Sequence, residues 1–190
     1  MIDYHIQHVI ANGCKYYLDN QDKFVNLFSD ISENFAIKLY NKLKETNINF
    51  NQGYMKARES LPLITFKVAE STDDTENQVL SNRGYGRNNI LFLNQQCEIF
   101  IYTDSLDIIR VLHRIIQSSM LLFKKNFYKA GYINIEFIDS SDVKPDDKLI
   151  SDSITTYNKK LTYNAQKQLL VEPLEEELTL FWDINPNNLN

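Results

Sequence analysis

The stretch Cys97-Glu98-Ile99-Phe100-Ile101-Tyr102-Thr103-Asp104-Ser105-Leu106-Asp107-Ile108-Ile109-Arg110-Val111-Leu112 changes its period halfway along. Up to Thr103 it is rich in Ile, Phe and Tyr, residues that suit a pleated, half-buried strand. Asp104 or Ser105 then offers an N-cap. Beyond it Leu106, Ile109, Leu112, Ile116, Met120 and Phe123 recur every three or four positions, a broad apolar stripe that predicts a helix to about Lys129. Arg110, Arg114, Lys124 and Lys125 occupy other positions, and Gly131 follows as a stop signal.

Upstream, residues 90–103 read as one extended segment, with Asn94-Gln95-Gln96 marking a turn or a bulge within it. Leu63, Thr65 and Lys67 alternate with Ile64, Phe66 and Val68, a strand with Pro62 at its start, where a missing N–H is tolerated. Two helices are expected before that. One covers residues 3–18, weakened by Gly13. A longer one, capped by Asn20 or Asp22, runs to about Lys44 on the stripe Phe24, Leu27, Phe28, Ile31, Phe35, Leu39 and Leu43. Downstream, Tyr132 to Ile138 is a short strand, Asp139 to Asp152 a polar connection, and Ile154 to Val171 a long extended segment.

Helices in the N-terminal part, then strands closed over one long helix, define an α+β class: an antiparallel or mixed β-sheet packed by a helix over about 105–129, with a long inter-strand loop. The expected organisation is a single domain over 1–171 followed by an acidic C-terminal tail, 172–190. The loop 70–89 lacks periodicity. Its first half is acidic and its second contains Arg83-Gly84-Tyr85-Gly86-Arg87. A loop of that length inside a compact domain is usually functional or disordered.

A net charge of −5 argues against a chain whose main task is to coat nucleic acid, because phosphate binding needs clustered Lys and Arg. The start, Met1-Ile2-Asp3-Tyr4-His5, has neither a basic nor an apolar leader region, and no apolar run reaches the roughly 20 residues that span a bilayer. A product of a reducing cytoplasm, with no membrane partner, is expected. Cys14 and Cys97 lack metal-ligand spacing and read as buried thiols.

Catalytic chemistry finds little to build on. His5 and His8 share a helical face without further zinc ligands. His113 lies within an apolar helix and reads as a core or interface histidine. Pro145-Asp146-Asp147-Lys148 brushes against an acidic metal-nuclease pattern but sits in a polar connection. An enzyme would need a constellation such as His113, Glu136 and Asp139 assembled from distant positions. Arg83 to Arg87 is not placed between a strand and a helix as phosphate-binding glycine loops are. No catalytic, metal-binding or cofactor-binding residue is therefore assigned. Arg83, Tyr85 and Arg87 read as a mobile loop tip or as a loop ordered by a neighbouring subunit. Leu178 to Trp182, with Phe181 and Trp182 as its aromatic pair, either folds back on its own domain or inserts into a partner.

The strand entering a helix at Cys97–Leu112, followed by Gly131-Tyr132-Ile133-Asn134-Ile135-Glu136-Phe137 and a long strand around Ser153 to Ala165, resembles the tail terminator and neck-completion proteins of tailed bacteriophages. The resemblance covers about residues 20–170 and is one of element order, not of a diagnostic motif. It implies a structural virion protein, assembled in the host cytoplasm, that forms a cyclic homo-oligomer, commonly a hexamer. Such a ring ends the tail tube and joins it to the head connector, so tube and connector proteins are the implied partners. Arg83 and Arg87 would then face the channel or an acidic partner, and non-specific contact with DNA in the channel is implied as well. The family shares no catalytic residues to carry across. The alternative is a non-enzymatic adaptor that engages one protein partner as a monomer or dimer.

Overall fold

The computed structural model describes residues 2–53, 60–69, 89–145 and 155–171. Its elements are α1 (Ile2–Asp19), α2 (Gln21–Leu27), α3 (Glu33–Lys44), β1 (Asn49–Gln52), β2 (Leu63–Ala69), β3 (Asn89–Thr103), α4 (Leu106–Leu122), α5 (Lys124–Lys129), β4 (Tyr132–Ser140), β5 (Lys144–Pro145) and β6 (Tyr157–Val171). This is an α+β fold, and its sheet is mixed. The strand order is β1-β2-β3-β6-β4, with β5 also paired to β6. Among the described strands β1 and β2 run parallel, and the other pairings are antiparallel.

One face of the sheet carries the core. Cys97, Ile99 and Ile101 of β3 stand in register with Val68, Phe66 and Ile64 of β2 and with Tyr163, Leu161 and Lys159 of β6. α4 lies on this face, burying Ile108, Ile109, Val111, Leu112, Ile115 and Ile116. α1 packs beside α4 through Ile2, Ile6, Val9, Ile10 and Cys14. Burying one such aliphatic side chain is worth about 1.5–3 kcal/mol, so this layer holds the fold together. At Gly13 α1 lies directly against α4. A Cβ built there would stand 2.5 Å from Ser119 Cβ and closer still to its hydroxyl, which donates to the Ile115 carbonyl.

The helix expected from residue 22 to 44 is two. Phe28 leaves helical geometry, and the chain re-enters a helix at Ser32, which has the extended conformation of an N-cap. Ser29-Asp30-Ile31-Ser32 is poor in helix formers, and the break lets α2 fold back on α3, with Phe24 edge-on to Tyr40 at 5.3 Å. The helix expected to reach Lys129 is also divided, at Phe123, so that Phe127 of α5 turns inward onto Tyr132. Neither Gly nor Pro marks that break. β1 was not expected. Its only large apolar residue, Phe50, stacks on Phe66 at 6.4 Å, and the pairing with β2 imposes the strand.

Asn94-Gln95-Gln96 forms neither a turn nor a bulge. β3 and β6 pair without a register shift from Asn89↔Val171 to Thr103↔Tyr157. β2 ends opposite Gln96 and β4 begins opposite Lys167, so beyond those residues β3 and β6 project as a two-stranded ribbon. Asn94 and Gln96 lie just before that ribbon, paired to Gln166 and Asn164, which β4 still flanks through Asn134 and Glu136.

Candidate assembly surface

β4 is an edge strand, and among the described residues nothing pairs with its outer side. It is irregular: the register shifts between Tyr132 and Asn134 and again between Phe137 and Asp139, leaving Ile133 and Ile138 as extra residues. Bulges of this kind blunt an edge against indiscriminate pairing while re-aiming side chains. Here they turn apolar groups to solvent: Ile133 is 43%, Phe137 41% and Ile138 50% exposed. The end of α4 lies beside Phe137, with Leu121 75% exposed and Leu122 also open to solvent. Between α4 and β4 runs a groove of about 340 Å³ lined by Gln117, Met120, Leu121, Lys124, Ile135, Phe137 and Tyr163. Phe137 packs edge-on against Tyr163 at its floor, 5.4 Å between ring centres. Scattered apolar residues are normal on a surface; an apolar groove with exposed Leu121 and Phe137 on its lining, beside an open strand edge, is the anatomy of an interaction site.

The exposed apolar group had a signal in the sequence. Met120-Leu121-Leu122-Phe123 places four apolar residues over most of the circumference of a helix, so they cannot all face one core. Likewise Phe137-Ile138 puts successive apolar side chains on opposite faces of a strand.

Arg83, Tyr85 and Arg87, and Phe181 and Trp182, lie outside the described residues. Their points of attachment are described. Residue 89, after the loop, pairs with residue 171, before the tail, so both segments depart from the tip of the same ribbon. Asp146, Asp147 and Lys148 also lie outside the described residues.

His113, Glu136 and Asp139 are not brought together. His113 is on α4, over the core face. Glu136 and Asp139 pair with Asn164 and Thr162, whose side chains belong to the other face. His113 lines a second pocket, of about 240 Å³, with Phe28, Phe35, Arg110 and Arg114. Burial, helped by Lys159 and Arg114, lowers its pKa to about 4, and its Nε2 is buried without a partner. Arg114 reaches across the α2–α3 break. It holds both oxygens of Asp30, donates to the Leu27 carbonyl at 3.3 Å, and lies 4.8 Å over the Phe28 ring.

The neutral His113 has a consequence for stability. The unfolded chain takes up a proton near pH 6.5 and the folded chain only near 4. Between those values the unfolded state binds more protons, so stability falls as pH falls through the window. His113→Gln should flatten that slope in denaturant titrations at pH 6.5, 5.5 and 4.5. The Asp30 carboxylate, held at about 2 by Arg114, acts only at lower pH.

Cys14 and Cys97 are buried free thiols, each pushed up to about 12, chiefly by burial. Such thiols are poor nucleophiles. His5 packs edge-on to Tyr132 at 5.6 Å while His8 is exposed, and among the described residues no group of three or more His, Cys, Asp or Glu could hold a metal. No helix among them is long and apolar enough to cross a membrane.

No protein-family model matches the chain, and no curated protein matches it in sequence.

Proposed function

We propose that the chain is a structural subunit of a closed ring at the neck of a tailed phage, where it ends the tail tube and joins it to the head connector. The observation that carries the reading is the polarity of the surface. An open, apolar β4 edge lies on one side of the subunit, and at one end the β3–β6 ribbon sends out both the 70–88 segment and the C-terminal segment. Two different surfaces that meet head to tail generate a ring when the rotation closes. The element order from β3 through α4 to β6, shared with tail terminator and neck-completion proteins, supports the setting. In that setting Arg83 and Arg87 face the channel or an acidic partner, and non-specific contact with DNA is electrostatic.

The setting is tested by adding the labelled chain to growing tail tubes of the same phage. The expected image has label at one end of each tube, with elongation arrested there. Label along the tube wall, or none, contradicts the reading.

A further inference from the structure

The groove between α4 and β4 has an occupant within the same polypeptide. We propose that residues 178–182 of a neighbouring copy, Leu178-Thr179-Leu180-Phe181-Trp182, dock in this groove along the outer edge of β4. The proposal rests on the ring reading above and names the contact that closes it.

Three observations lead to this occupant. The first is charge. The approach to the segment carries Glu172, Glu175, Glu176 and Glu177 and no basic residue. Lys124 stands on the rim of the groove, and Lys125 and Lys129 continue along α5, all exposed and with no acidic residue on that helix. Glu136 and Asp139 of β4 belong to the opposite face of the sheet.

The second is apolar complementarity. The groove offers Met120, Leu121, Ile135 and Phe137 beside an unpaired main-chain edge. An added strand gains affinity from main-chain hydrogen bonds and specificity from alternate side chains that enter pockets. Leu178, Leu180 and Trp182 alternate with Thr179 and Phe181, and aromatic anchors are the side chains that most often dominate an interface.

The third is direction, and it selects a neighbour over the same chain. The groove floor is at Tyr163, and β6 runs from there past its last β4 partner, Lys167, to Val171, away from the groove. Glu172 precedes Pro173, which biases it to an extended conformation, and residues 172–182 contain no Gly or Asn to help reverse the chain. Continued extension from Val171 to Trp182 spans about 36 Å, enough to enter an abutting copy.

Single cysteines test the contact. Lys124→Cys is introduced in one population of the full-length chain, at the groove rim, and Asp183→Cys in another, just after the segment. The native thiols are buried and do not compete. The two populations are mixed and treated with a short bismaleimide, with ring formation followed by light scattering. The expected product is a covalent pair containing one chain of each kind. Trp182→Ala should reduce its yield about tenfold or more, as the loss of a buried aromatic anchor implies. Rings without the mixed product would overturn the docking and leave the ring reading standing. Neither rings nor product would overturn both. A link formed only inside a doubly substituted chain would assign the segment to its own groove and overturn the exchange between copies.

Discussion

Gly13→Ala lowers the stability of the monomer by about 2 kcal/mol, although in an exposed helix the same change would raise it by about 1 kcal/mol. The sign is decided by Ser119. A methyl group at Gly13 meets the Cβ and Oγ of Ser119, atoms fixed to the α4 backbone, and Ser119 is itself fully buried. The helices must separate, and the apolar layer formed by Ile6, Val9, Ile109 and Ile116 loosens with them. For a chain of this size the change should appear as a fall in Tm of roughly 4–8 °C. Ser119→Gly in the same chain removes the obstructing atoms. The double variant should recover much of the loss despite its added helical glycine. An unchanged or raised Tm for Gly13→Ala alone would show that α1 and α4 are not in contact at this point.

Leu121→Glu abolishes the ring and spares the monomer. Leu121 is 75% exposed in the isolated subunit, so its replacement there should change folding stability by no more than about 0.5 kcal/mol. In the proposed ring the same position would be covered, and an unpaired carboxylate in an apolar contact costs about 3 kcal/mol or more. That is a loss of more than about a hundredfold in association at each junction. Circular dichroism and thermal melting should match the parent while sedimentation velocity shows only single chains. Rings formed normally by this variant would place the β4 side outside the interface.

Much of the architecture is legible in the sequence because period and capping agree there. The β3–α4 junction, the β2 strand, the stop at Gly131 and the α+β class all follow from local pattern. The misreadings have a common cause, which is that tertiary contacts overruled local signals. The apolar stripe from Phe24 to Leu43 continues across the α2–α3 break because both helices bury the same face, so the periodicity conceals the turn. Ser32 ahead of Glu33 is the cue that marks it. The amides of Asn94-Gln95-Gln96 suggested an interruption, yet they are regular ladder residues paired to Gln166, Ala165 and Asn164 of β6. β1 takes its conformation from β2, and no propensity in Asn49–Gln52 predicts it. The assembly surface was half legible. The aromatic tail stood out by composition, whereas the groove joins Met120 and Leu121 of α4 to Ile135 and Phe137 of β4, residues that only the tertiary packing brings together.

The subunit is proposed to self-associate into a closed ring. The most direct test is the mass of the full-length chain by light scattering after size exclusion, over a wide concentration range, with negative-stain images of the same fractions. The account predicts one discrete multiple of the 22.3 kDa chain, seen as annular particles. A monomer at every concentration, or open-ended growth without annuli, would contradict it.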